Sequence, residues 1–251
     1  MREAFLWGLL AASSLVIGGL VALWFRVGSR TLGLVMAFGA GVLISAVAFE
    51  LVEEGINTAG GIRTVALGLF AGSLVFFLGD WIIDRMGGAE RKFSRPTRAA
   101  AGTGTVARVS GLAIVLGIVL DGIPESIVIG LTLVAGGKVG AAMVVAVFLS
   151  NLPEAIAATT GLAGSGWSRP RILTLWALVA AVSALASAAG YGFLGDAAPG
   201  TVAFVLGFAG GAILTMLADT MMPEAFEYGG RLVGVITTFG FATAVFVDSI
   251  S

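Results

Sequence analysis

The chain has 251 residues, of which 58% are hydrophobic and 12% charged, with 14 Lys and Arg against 15 Asp and Glu and a mean hydropathy of +1.03. A soluble domain carries roughly 25% charged residues to cover its surface, so this composition excludes one, and a near-zero net charge gives nucleic acid no reason to bind. The chain has neither Cys nor His, so disulfides, thiolate metal sites and imidazole ligands are all excluded.

Continuous apolar runs of about 20 residues predict an all-α polytopic membrane protein, whereas a β-barrel would alternate apolar and polar positions. In chain order the predicted spans cover roughly 5–25, 31–54, 63–84, 108–133, 138–163, 171–194, 201–225 and 231–250, eight transmembrane helices in a single transporter-sized domain over 1–251. The first, "MREAFLWGLLAASSLVIGGLVALWF", has no A-x-A cleavage site and reads as a retained span, not a signal peptide. The one long connection, about 85–107, is polar, Gly-rich and basic, and reads as a loop. Eleven of the Lys and Arg residues (Arg26, Arg30, Arg85, Arg91, Lys92, Arg95, Arg98, Arg108, Arg169, Arg171 and Arg231) fall on one side of this topology, and only Arg2, Arg63 and Lys138 on the other. The rich side is expected to be cytoplasmic, which puts both termini outside.

Spans two and seven resemble each other. "FGAGVLISAVAFELVEEG" (38–55) aligns without gaps to "FAGGAILTMLADTMMPEA" (208–225), matching Gly41 with Gly211 and Glu54 with Glu224. Spans two and seven are an odd number of crossings apart, so the copies run in opposite directions. An inverted repeat is the pattern of many transporters.

Spans four and five carry "LDGIPESIVIG" and "LSNLPEAIA". Glu3, Asp80, Asp84, Glu90, Asp196 and Asp248 fall where spans meet water. Asp121, Glu125, Glu154 and Asp219 lie well inside their spans, and no span interior holds a Lys or Arg to neutralise them. A charge at that depth costs several kcal/mol unless it finds a partner or a wet cavity, and four such acids point to a bound or transported cation. Asp121 and Glu125 are spaced i,i+4 and share one helix face; Ser150 and Glu154 repeat the spacing, with Asn151 beside them. Pro124 and Pro153 lack an N–H and release the carbonyls of Leu120 and Leu149. The set is all oxygen, which suits hard or borderline divalent ions such as manganese, iron(II), magnesium and calcium. Glu50 and Glu54 at one end, and Glu224 at the other, extend a path to both mouths. Glu53 and Glu227 stand beside them at the two ends, where ordinary interfacial acids are the alternative, and Met216, Met221 and Met222 are read as apolar packing.

These motifs resemble the ZIP family of divalent-metal transporters, which has eight spans, both termini outside, a long cytoplasmic loop after span three and paired H-N-x-P-E-G motifs on spans four and five. "DGIPES" and "SNLPEA" stand in those places, and "MMPEAFE" on span seven is similar to the bacterial branch. Asp121 and Ser150 stand where the family has His, Gly122 where it has Asn, and Ser126 and Ala155 where it has the trailing Gly. The resemblance implies uptake of zinc, manganese, iron or another divalent ion into the cytoplasm across a bacterial inner membrane. It further implies an inverted repeat of spans one to three and six to eight around spans four and five, a path lined by spans two, four, five and seven, and homodimers. The metal is the substrate, with no permanently bound cofactor; the partners are that ion and membrane lipid, and nucleic acid is not among them. Movement of another cation or of protons, or metal sensing without transport, are the alternatives. An intramembrane enzyme is not expected: a metalloprotease needs His, and "GD" at Gly79–Asp80 is a lone aspartyl-type match.

Overall fold

A computed structural model describes residues 1–59, 61–85, 111–135 and 141–249. Most of the predicted 85–107 loop, with Arg91, Lys92, Arg95, Arg98 and Arg108, lies outside the described residues, as does Lys138. The described residues are helical, with no strand among them. The helices are α1 (Arg2–Trp24), α2 (Ser29–Ala46), α3 (Glu54–Ala59), α4 (Ile62–Ile83), α5 (Gly111–Ala135), α6 (Ala141–Gly164), α7 (Arg169–Leu194), α8 (Pro199–Met216), α9 (Met222–Gly229) and α10 (Val233–Ser249). Two π-helical segments, Val47–Glu53 and Leu217–Met221, run continuously between α2 and α3 and between α8 and α9.

Among the described residues seven helical stretches are long and apolar enough to cross a membrane, so the chain is a helical, multi-pass membrane protein. The last of them, Pro199–Ser249, has 51 residues. Gly230 breaks it with φ 67 and ψ −145, a left-handed conformation that glycine adopts without a Cβ clash, and α10 then packs back along α2.

Close glycine contacts set the helix pairs. A Cβ on Gly72 of α4 would fall on the Phe208 carbonyl of α8, and one on Gly211 of α8 on the Leu69 carbonyl of α4. Likewise a Cβ on Gly240 of α10 would meet the Phe38 carbonyl of α2, and one on Gly41 of α2 the Thr237 carbonyl of α10. In lipid no hydrophobic force drives helices together, so such close backbone approach supplies much of the attraction. Between α4 and α8 the Ser73 and Thr215 hydroxyls are 2.8 Å apart, adding a polar tie. On the other side α1 runs antiparallel to α7: Ser187 Oγ donates to the Ala4 carbonyl at 2.8 Å, and Gly19 lies against Trp176. The Trp176 indole N–H in turn donates to Thr159 Oγ1 of α6 at 2.8 Å.

These pairings fix the two ends of the bundle. Gly33 at the start of α2 meets Tyr228 and Gly229 at the end of α9, and α4 runs parallel to α8. Arg26, Arg30, Arg85, Arg169, Arg171 and Arg231 therefore share one end, with Arg2 and Arg63 at the other. At the basic end the guanidinium carbons of Arg85 and Arg171 lie 3.7 Å and 3.8 Å from the ring centres of Trp81 and Trp167. Such stacked pairs suit the headgroup level, where an aromatic ring and a cation are both comfortable.

Candidate functional site

Both prolines sit inside unbroken helices, Pro124 in α5 and Pro153 in α6. Each deletes one N–H from the backbone ladder, leaving a carbonyl to be satisfied elsewhere. The Leu149 carbonyl, released by Pro153, lies against Gly39 of α2, where a Cβ would stand 3.2 Å away. One residue past Glu125, Ser126 Oγ donates back to the Gly122 carbonyl at 2.6 Å, reinforcing α5 beside its proline.

Glu125 is 1% exposed, Ser150 0% and Asn151 5%. Ser150 Oγ lies 3.3 Å from Glu125 Oε1 and 3.1 Å from the Val147 carbonyl, so its single proton serves two acceptors. Glu125 Oε2 is buried with no hydrogen-bond partner. Asp121, one turn earlier on α5 and half-buried, is its electrostatic neighbour. The two motifs thus meet at Ser150 of α6 and Glu125 of α5. At the level of Glu125, however, α6 presents Ser150; Glu154 is half-buried one turn further along. Among the described residues no three acids converge closely enough to hold a metal, so Glu154 does not complete a three-carboxylate cage with Asp121 and Glu125.

The other sequence-selected acids are spread over the bundle. Glu50 lies in the first π segment, half-buried, with neither carboxyl oxygen making a hydrogen bond of good geometry; the Met143 backbone and Asp248 are its neighbours. Glu54 Oε1 is 3.4 Å from Thr58 Oγ1, a contact within one helix turn. Glu224 is 7% exposed, while Glu53 and Glu227 are exposed. Asp219 is exposed on the second π segment, a correction to its grouping with the interior ligands. The wider π turn re-aims side chains around the axis, which a regular helical wheel does not anticipate.

Asp80 is the second correction. Taken as a water-facing residue at a span end, it is 5% exposed. It continues the one buried stripe of α4, through Val65, Gly68, Gly72 and Phe76, and the next residue back, Gly79, lies against Leu120 of α5. That four-residue periodicity was the signal that could have found it. Of the two α7 serines, Ser187 is committed to α1, whereas Ser183 lies beside Gly122 of α5. A surface hollow of about 370 Å³, lined by Met1, Leu133, Tyr191 and Asp196 among others, contains none of the residues around Glu125.

Removing the Ser150 hydroxyl takes a neutral donor from a buried carboxylate. Ser150→Ala is therefore expected to lower stability by about 1–3 kcal/mol, since it leaves the second oxygen of a buried carboxyl group without its donor. Thermal melting of the detergent-solubilised protein checks this, and unchanged melting would show that the Ser150 contact contributes nothing.

The chain matches no protein-family model and no curated protein.

Proposed function

We propose that this chain is a secondary transporter that moves a divalent metal ion through a mid-membrane carboxylate site into the cytoplasm, in the manner its ZIP-like motifs suggest. The observation that carries this reading is Glu125: a carboxylate 1% exposed, with one oxygen on Ser150 and the other unpartnered, between two proline-containing helices. A membrane-buried acid without a basic neighbour calls for a cation, and an oxygen without a donor is where that cation sits. Asp121 on the same face, Asn151 and Ser150 supply further oxygens, and Glu154 stands one turn along the path. Glu50 and Glu54 belong to one mouth, and Asp219 and Glu224 to the other.

The transporter architecture in this proposal is eight crossings arranged as an inverted repeat. Its support is a match in detail. α2 and α8 have 18 residues each, both pass directly into a π segment, and Ser29, Val47 and Ala59 find counterparts at Pro199, Leu217 and Gly229, each 170 residues on. The contacts of Gly72 with Phe208 and of Gly240 with Phe38 are counterparts as well, as are those of Gly211 with Leu69 and of Gly41 with Thr237. The break at Gly230 makes the eighth crossing out of the seventh, since 51 helical residues would run about 75 Å through a hydrocarbon layer of about 30 Å.

A second reading, movement of protons or a monovalent cation, is favoured by one observation: no three acids converge among the described residues. The deciding experiment is flux into proteoliposomes across manganese, iron(II), zinc, magnesium, calcium, sodium and a proton gradient. Saturable divalent uptake supports the first reading; proton or sodium flux alone replaces it with the second.

The basic end is placed in the cytoplasm of a plasma membrane. In this Cys-free chain, Ser165→Cys at the α6–α7 turn is expected to resist an impermeant thiol reagent in intact cells, and Asn57→Cys to react. The reverse pattern would invert the topology.

A further inference from the structure

Small residues bring α5 and α7 into backbone contact toward one end of their interface. A Cβ on Gly130 of α5 would fall on the Ser187 carbonyl, and one on Gly190 of α7 on the Ile127 carbonyl. Gly122 of α5 is different. A Cβ there would have a single atom within 4 Å, Ser183 Oγ of α7 at 3.9 Å. Gly122 is buried, so this room lies inside the bundle. It takes one methyl group, or one water of similar size.

The groups beside the room are polar. Ser183 is 7% exposed, and its hydroxyl is hydrogen-bonded to no described residue. Glu125, three residues along from Gly122 and on the same side of α5, is buried with Oε2 lacking a hydrogen-bond partner. Its other oxygen is accounted for by Ser150 of α6. The Gly122 carbonyl is taken by Ser126 Oγ, which leaves the room to Ser183 and Glu125. The paired motifs set Gly122 of "DGIPES" against Asn151 of "SNLPEA". α6 fills that position with a buried amide, and α5 leaves it as room beside Ser183.

We infer that the room between Gly122 and Ser183 holds a water carried on the ion, and that the site thereby selects a divalent ion that keeps part of its hydration shell, of the magnesium and manganese(II) class, over zinc. The inference rests on the transporter reading above and adds to it Ser183 as a specificity-determining residue. A water bound to a cation spends a lone pair on it and offers two protons. Ser183 Oγ accepts one of them and Glu125 Oε2 the other, each having lone pairs to spare. Magnesium dehydrates reluctantly and usually keeps several waters. Zinc sites are mostly four-coordinate with nitrogen or sulfur ligands, which a chain without His or Cys does not offer.

The test is Gly122→Ala in the full chain, reconstituted in proteoliposomes with manganese(II) as the transported ion and zinc as the competitor. The new methyl enters the room without strain, since its nearest neighbour is at ordinary van der Waals distance and Ala suits a helix better than Gly. Thermal melting should be unchanged or higher. Manganese uptake should fall about tenfold, because the methyl displaces a water without replacing its hydrogen bonds. Zinc should compete more strongly than in the unsubstituted chain. Ser183→Ala keeps the room, removes the hydroxyl and should shift both readouts in the same direction. Combining the two substitutions should be no worse than Gly122→Ala alone, since both act through one water, whereas independent sites would add. If Gly122→Ala does not assemble, Ser183→Ala alone reads the zinc competition. Unchanged manganese uptake and zinc competition in the variant read, or additive losses in the pair, overturn the inference. Where the unsubstituted chain still takes up manganese, such a result leaves the transporter reading standing. No divalent uptake by the unsubstituted chain removes both.

Discussion

On the transporter reading proposed above, Glu125→Gln is expected to reduce divalent-ion uptake to the background of protein-free vesicles, while the purified protein stays monodisperse. The substitution keeps the side chain's length and planarity and its contact with Ser150 Oγ, 3.3 Å away, so the packing of α5 against α6 survives. What disappears is the negative charge at a position only 1% exposed. There, water cannot stand in for it, and Asp121 alone must hold the ion. Removing one member of a buried ion pair costs about 3–5 kcal/mol, which is a loss of about 10²–10³ in affinity or rate. The unliganded bundle should be unharmed or slightly more stable, because the amide is cheaper to bury than a carboxylate. Uptake and thermal melting measured on one preparation separate the two effects. Retained uptake would dismiss Glu125 as the ion site.

Gly72→Val and Gly240→Val are expected to be the most damaging substitutions for assembly. Each adds a branched side chain where the first carbon already falls on a carbonyl, that of Phe208 or Phe38. The clash is with backbone in a helix, which cannot rotate away like a side chain, so the helix pair must separate and give up its close contact along several turns. Overpacking of this kind costs about 1–3 kcal/mol, and more where backbone is the obstacle. The control is on the same helix: a Cβ on Gly234 would meet nothing within 4 Å. Gly234→Ala should be neutral or add about 0.5–1 kcal/mol through lower backbone entropy in the unfolded chain. Thermal melting of the detergent-solubilised protein, followed by size-exclusion, reads all three. Equal melting of Gly72→Val and Gly234→Ala would show that the α4–α8 contact is not what holds the bundle.

The two grades of prediction draw on different sources. Gly72 and Gly240 are unremarkable in a chain with 38 glycines, and nothing in their neighbourhoods marks them from Gly234. Which glycine is indispensable depends on what stands opposite, from a helix more than a hundred residues away. Glu125 could be singled out earlier, because an acid flanked by apolar residues at mid-span is anomalous wherever the neighbouring helices lie.

The sequence by itself determined the membrane class and the positions of the long helices. Each of these is written in local composition and spacing, since lipid admits only self-satisfied helices of a fixed length. Only the tertiary structure decided that Ser150, and not Glu154, stands opposite Glu125, that Asp219 is exposed, that Asp80 is buried, and that π turns interrupt α2 and α8 at equivalent points. A π turn has no compositional mark, and it rotates every side chain beyond it relative to a regular wheel. Burial of a residue at a span end depends on which distant helix covers that end.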